Sequence, residues 1–288
     1  VLVTKRVGII GYPIRHSASP AFQQAALDFR GIDAKFEAWA VDPGTVVQWV
    51  ANQDRTDLLG FGVTVPHKQE IMKVLDYVDA DAATIGAVNT VVVSKDQRLL
   101  GYNTDAYGFL RALQEDGDFT PEGQHVLVLG SGGVSRAVCA MLLREGVASL
   151  TMANRTVARA EALLMDLNTG ESEVDAISIE PNLLEISLST KEPVTLIVNC
   201  TSLGMLHGPD ERATPLHGKL IPSNSLVVDL VYNPAETPLM KLAATAGAKT
   251  LGGLSMLVYQ GTLGFQLWTG MTAPLEIMME TAKKAVMD

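Results

Sequence analysis

Cysteine is scarce in this chain: two in 288 residues, Cys139 and Cys200, far apart and without the spacing of metal ligands. That argues against a disulfide framework and makes a reducing, cytoplasmic setting the expectation. Long apolar runs are missing too, with none near the ~20 residues that cross a bilayer. Residues 1–10 lack the charged, apolar and small-residue succession of a secretory signal. The five histidines include no H-x-x-x-H pair, so no metal is expected. Basic residues are in deficit, 22 Lys plus Arg against 32 Asp plus Glu, for a formal charge of −10. This speaks against broad binding to nucleic acid or anionic membranes and leaves an anionic ligand dependent on a local basic site. There is no internal repeat and no low-complexity tract.

What the chain does have is apolar side chain, 47% of residues, enough for a substantial core. Short β-branched runs alternate with amphipathic stretches. In the first third the strand candidates are 7–10, 35–41, 61–65, 88–93 and 99–102, the last two joined as a hairpin by the polar turn 94–98. Helices are expected after Ser19 and Gly44, and near His67. A second series begins at His125, with strands at 125–129, 149–153, 174–177, 194–200, 226–230 and 249–251 and helices at 135–145, 157–168 and 238–246. Stretch 117–123, with two Gly and one Pro, reads as a linker. After Gly253 the chain reads as helix to its end, broken at 270–274. The pattern predicts an α/β protein: a mostly parallel sheet covered on both faces, then a doubly wound domain.

The most informative stretch is 125–137, HVLVLGSGGVSRA, in which a buried strand enters a Gly-rich turn and then a helix. In that context glycines let the backbone approach a pyrophosphate, and the helix N-terminus offers unpaired N–H groups and a positive dipole end. Ser135 occupies the third Gly position of G-x-G-x-x-G, and an ordinary strand–turn–helix corner is the plain alternative. The next strand runs into Asn154, Arg155 and Thr156, with Arg159 one helical turn on. An NAD site commonly places a carboxylate there. Guanidinium groups instead attract a 2′-phosphate, so these residues favour NADP(H); a solvated helix start capped by Thr156 is the alternative.

Polar groups also gather at strand ends in the first 105 residues. Stretch 11–20, GYPIRHSASP, places the hydroxyls of Ser17 and Ser19 near a helix start, where they suit a small anion, though Ser19-Pro20 is equally a good N-cap and N1 pair. Stretch 61–68, FGVTVPHK, offers Thr64 and Lys68; a lysine opening a helix opposes the macrodipole, which argues for a partner or a function. Asn89 and Asp105 follow in GAVNT and GYNTD, where each is also a plausible turn or cap residue. Ser, Thr, Lys, Asn and Asp at the exits of successive strands suit one crevice and one polyol. In the second half, NCTSLGM with Thr201 and DLVYNP with Leu230 and Tyr232 follow strands where a nicotinamide would lie. Gln260 stands on an otherwise apolar helix after Gly253.

Taken in order, these strings resemble the shikimate dehydrogenase family, including its quinate-using relatives, over nearly the whole chain. The resemblance implies a substrate domain at 1–104, completed by C-terminal helices 253–288, and a Rossmann NADP(H) domain at 105–252. Ser17 and Ser19 would take the substrate carboxylate. Thr64, Lys68, Asn89, Asp105 and Gln260 would hold ring hydroxyls, and Tyr232 would close over the ring. Lys68 and Asp105 would be the catalytic couple. Gly130, Ser131, Gly132, Gly133 and Val134, with Asn154, Arg155, Thr156 and Arg159, would hold NADP(H), and Thr201, Leu230 and Gly253 would lie by the nicotinamide. The implied reaction is reversible reduction of 3-dehydroshikimate to shikimate, in the pathway to aromatic amino acids, on a small-molecule substrate, with a homodimer admitted. An NAD-preferring quinate or shikimate dehydrogenase and a non-catalytic NADP- or shikimate-binding module are the alternatives. The chain departs from the family pattern at Gly62 and Tyr12, each standing where Asn is usual, and in GSGGV where GAGGA is usual.

Overall fold

The computed structural model describes residues 4–167, 170, 172–189 and 191–287; Asn168, which closes the expected helix 157–168, lies outside them. Leaving the last two residues aside, the chain forms two compact units, Val1–Gly108 with Leu257–Val286, and Phe109–Met256. Each crossing falls inside a helix, four residues beyond the expected 104 and 252.

The first unit is built on strands β1 (Lys5–Gly11), β2 (Ala34–Ala40), β3 (Leu58–Val63), β4 (Tyr77–Val78), β5 (Thr90–Val93) and β6 (Leu99–Tyr102), in the order β2-β1-β3-β5-β6-β4. The sheet is mixed. Pairs β1–β2, β1–β3 and β4–β6 are parallel, while β3–β5 and β5–β6 are antiparallel. The β5–β6 hairpin is the cause: Ser94 Oγ accepts from Arg98 N at 3.0 Å, and Gln97 takes the left-handed conformation (φ 63°) that turns the chain back. Helices α1 (Ser19–Phe29), α2 (Val46–Ala51) and α3 (Ala80–Ile85) belong to this unit. The helix expected near His67 is only a five-residue 3-10 turn, Glu70–Val74. Lys68 therefore precedes it in a loop, and the macrodipole argument for that lysine does not apply. Ile10, Phe61, Val63, Ile71, Val91 and Leu99 form part of one buried cluster under Trp39 and Trp49. Two further helices, α9 (Leu254–Thr269, from Leu257 on) and α10 (Leu275–Ala285), also fall in this unit. Trp268 Nε1 donates to Val91 O at 2.9 Å, which ties α9 to the sheet.

The second unit carries β7 (His125–Leu129), β8 (Ser149–Asn154), β9 (Glu173–Ser178), β10 (Leu196–Asn199), β11 (Leu226–Asp229) and β12 (Lys249–Gly252), all parallel, in the order β12-β11-β10-β7-β8-β9. That is the doubly wound order, turning back between β7 and β10. Val126 to Leu129 and Leu196 to Val198 are fully buried, as strands covered on both faces must be. The connecting helices are α5 (Gly133–Arg144), α6 (Val157–Leu167), α7 (Pro181–Ser189) and α8 (Pro238–Thr245). Stretch 117–123 is not a linker. It closes α4 (Asp105–Glu115), with Gly117 N and Phe119 N donating back to Ala112 O and Leu113 O, and it lies inside this unit.

Candidate active site

At the exits of β3 and β6 the first unit buries a lysine and an aspartate together. Lys68 Nζ donates to Asp105 Oδ2 at 2.6 Å, with the two residues 8% and 5% exposed. Asp105 opens α4, and its N–H is capped by Asn103 Oδ1 at 3.1 Å, so the carboxylate is free of the helix-capping duty the sequence allowed it. Its other oxygen, Oδ1, accepts from Asn89 Nδ2 at 2.8 Å. Both oxygens thus have donors, as a buried carboxylate requires.

Asn89 is the hub. Its Nδ2 also reaches Thr104 Oγ1 (2.9 Å) and Gln260 Oε1 (3.3 Å), while its Oδ1 accepts from Thr104 N (2.7 Å) and Thr90 Oγ1 (3.1 Å). The amide orientation follows: oxygen toward the Thr104 N–H, nitrogen toward the carboxylate. Gln260 fixes itself by donating Nε2 to Leu257 O at 2.7 Å, one turn back on α9. Lys68, Asn89, Asp105 and Gln260, expected from separate motifs, therefore meet in one hydrogen-bonded set. Thr90, Asn103 and Thr104 complete it and were not among the expected site residues. Thr104 stood in the quoted string GYNTD, but nothing in that string gives its direction.

The remaining expected substrate residues lie on neighbouring loops of the same unit. Ser17 Oγ accepts from Ser19 N at 3.3 Å, so the serine pair shapes its own turn. Ser19 is the first residue of α1 rather than its N-cap, a place taken by Ala18. Thr64 follows β3 and accepts at its carbonyl from His67 N (3.0 Å). Gly62 leaves no side chain to brace this loop. His67 does it instead: fully buried, its Nε2 meets Val41 O at 2.8 Å. Since a carbonyl only accepts, Nε2 carries the proton. Lys68 O further accepts from Val88 N at 2.8 Å. Tyr12 is half exposed, and Tyr232 lies in the second unit, after β11.

The second unit carries the Gly-rich turn. Gly130 leaves β7 with φ +94°, and a Cβ there would lie 2.9 Å from the Thr201 methyl, so two loops meet at the point where the strand order reverses. Ser135, fully buried, explains its place in the pattern: its Oγ donates to Gly130 O (2.9 Å) and accepts from Gly132 N (3.0 Å), closing the loop and capping α5. A Cβ on Gly132 would meet nothing within 4 Å, so the turn keeps open room beside the first N–H groups of α5. Ser131, Gly133 and Val134 line the same turn. After β8, Asn154 Nδ2 donates to Thr156 O at 2.8 Å, and Arg155 and Arg159 are exposed with no ion pair among the described residues. No carboxylate stands there. The residues fit a dinucleotide with a 2′-phosphate. Leu230 and Gly253 touch: a Cβ on Gly253 would be 2.3 Å from Leu230 O.

Three family models match the chain in order: the shikimate dehydrogenase substrate-binding domain at residues 9–91, shikimate/quinate 5-dehydrogenase at 114–201, and the shikimate 5′-dehydrogenase C-terminal domain at 253–283. An NADP+ shikimate dehydrogenase from Symbiobacterium thermophilum is 42% identical over 281 residues, 97% of this chain and 94% of that one. One from Methanopyrus kandleri is 42% identical over 96% of this chain and 94% of its own. Among solved structures, the Thermus thermophilus shikimate 5-dehydrogenase, in complex with NADP(H) and shikimate, superposes with TM-score 0.83 at 36% identity, covering 98% of this chain and 99% of that one. Likeness of this extent, in sequence and in backbone, means that the chain belongs to the shikimate dehydrogenase family.

Proposed function

We propose that this chain catalyses the reversible reduction of 3-dehydroshikimate to shikimate with NADP(H). The observation that carries the reading is the buried Lys68–Asp105 pair, joined through Asn89 to Gln260, at the exits of strands whose neighbouring loops bear two serines. When bound, NADPH supplies a hydride to the ketone carbon of the ring.

The protein's part is position and one proton. As the ketone carbon is reduced, its oxygen gains negative charge. Lys68 hydrogen-bonds that oxygen and transfers its proton, leaving an alcohol and a neutral amine that solvent reprotonates. In the reverse direction the neutral amine takes the hydroxyl proton. Asp105 holds the ammonium in place. Thr64, Asn89, Asp105 and Gln260 present amide, hydroxyl and carboxylate groups to the ring hydroxyls. Ser17 and Ser19 take the carboxylate, and Tyr232 covers the ring. Gly130 to Val134 would hold the pyrophosphate, Asn154, Arg155, Thr156 and Arg159 would hold the 2′-phosphate, and Thr201, Leu230 and Gly253 would bound the nicotinamide. The two free cysteines suit a cytoplasmic setting.

The test is a four-way assay of shikimate or quinate with NADP+ or NAD+, followed by absorbance of the reduced nicotinamide. Shikimate with NADP+ is expected to be fastest. Faster turnover of quinate with NAD+, or tight NADPH binding without turnover of either acid, would overturn the reading.

A further inference from the structure

Asp229 ends β11 as a fully buried carboxylate with no ion-pair partner among the described residues. Three groups donate to it instead: Asn199 Nδ2 at 2.8 Å and Val231 N at 3.1 Å to Oδ1, and Thr237 Oγ1 at 2.6 Å to Oδ2. The parallel register places Asn199 directly across from it on β10. Asn199 turns its other face to the next loop, its Oδ1 accepting from Thr201 N (3.0 Å) and Thr201 Oγ1 (2.7 Å). Thr201 Oγ1 then accepts from Leu203 N at 3.3 Å, and Asn199 O accepts from Leu230 N at 3.1 Å. On the far side Thr237 Oγ1 accepts from Met240 N at 3.2 Å and so caps α8.

The donors run one way. Leu203 gives to Thr201, Thr201 to Asn199, Asn199 to Asp229, and from the other side Met240 gives to Thr237 and Thr237 to Asp229. Only an acceptor with no proton of its own closes both lines. A lone carboxylate in a protein interior costs several kcal/mol unless such bonds hold it, so packing alone gives no reason for an acid here. The Thr237 line anchors the carboxylate to α8, and the Asn199 line carries that anchor to functional ground: Thr201, against the Gly130 turn, and Leu230, against Gly253.

We propose that Asp229, working through Asn199, is the positioning residue for the nicotinamide side of the second unit's cofactor site, holding the loops after β10 and β11 in their cofactor-binding form. This rests on the NADP(H) reading above. Asp229 touches no reacting atom; it acts through Thr201 and Leu230.

Asp229→Asn keeps the shape but has one acceptor oxygen for donors on two sides, so its N–H group meets either Asn199 Nδ2 or Thr237 Oγ1 and the carboxylate's hold on Asn199 between the two anchors is lost. NADPH affinity, measured by fluorescence titration without substrate, is expected to weaken about tenfold. Shikimate affinity should fall by less, about threefold at most, because of its proposed residues only Tyr232 lies in this unit. Amide exchange should speed up at 200–205 and 230–233 in the unliganded variant. Should Asp229→Asn fail to fold, Thr237→Val removes the same donor and Thr237→Ser restores it; the Val variant is expected to lose NADPH affinity and the Ser variant to keep it. Unchanged NADPH affinity in Asp229→Asn, equal affinities in the Thr237 pair, or loss of both ligands in step with the melting temperature would overturn the proposal. A wild-type protein that binds no NADPH would bring down the functional reading as well; one that binds it as tightly as the variant does would bring down this inference alone.

Discussion

Arg155 and Arg159 stand exposed after β8 with no ion pair among the described residues, so their charge is available to a ligand. Arg155→Ala should weaken NADPH about tenfold, the worth of one charge-assisted bond or more, and leave NADH nearly unchanged. Equal weakening of both in paired titrations would show that Arg155 does not read the phosphate. The cysteines make the opposite case. Burial pushes the Cys200 thiol up to about 12 and Cys139 well above its ordinary range, so neither forms a thiolate near neutral pH. A colorimetric thiol reagent at about pH 8 is expected to count no fast-reacting group in the native protein and two after denaturation; one fast thiol before denaturation would contradict the raised Cys200 value, since Cys200 is only half-buried. At this scale the sequence is legible where a residue type is unusual for its place. Two arginines where a carboxylate is common stand out; Lys68 is singled out as opening a helix, and the short turn Glu70–Val74 removes that reason. Asn199 and Asp229 do not, because either looks like an ordinary strand-end residue until the register puts them side by side.

Among the elements, the turn between β7 and α5 is where local chemistry is densest. Ser135 replaces a glycine of the common pattern and compensates by bonding both ends of the loop. Ser135→Ala removes an N-terminal cap and orphans a buried carbonyl, for an expected loss of about 1–2 kcal/mol. Denaturant melts should show a lower midpoint with an unchanged slope. A midpoint equal to wild type would mean the hydroxyl does not close the loop. Strands β6 and β7 are legible to the residue, because short apolar runs between polar turns admit few other readings. The two-residue β4 is too short to show a period, and the helix expected near His67 is a 3-10 turn because an apolar spacing suited to a helix serves such a turn equally well. The linker at 117–123 failed for a related reason: Gly and Pro mark a helix end as readily as a domain border.

Over the whole molecule, two successive strand–helix series were enough to predict two α/β units, and the doubly wound order of the second followed from its all-parallel pattern. The antiparallel pairs of the first unit came from a single hairpin. One titration reaches global stability. Burial holds the Asp229 carboxyl above its ordinary 3.8, against the pull of its three hydrogen bonds. The folded protein therefore holds that proton more tightly than the unfolded chain does, and unfolding free energy falls as pH rises from 3.8 through the folded value. Asp229→Asn removes this titration. The stability of wild type relative to the variant should be greatest below pH 3.8 and decline as pH rises above it, as measured by thermal unfolding at matched ionic strength. A relative stability that climbs with pH would contradict the raised value.

The central claim concerns one ammonium beside one carboxylate, and kcat for shikimate oxidation by Lys68→Ala tests it most directly. Removing the lysine leaves Asp105 with Asn89 as its donor, so the variant should fold and bind NADPH as wild type does, while kcat falls by about 10²–10⁴-fold. Near-normal kcat in a folded Lys68→Ala protein would contradict the account.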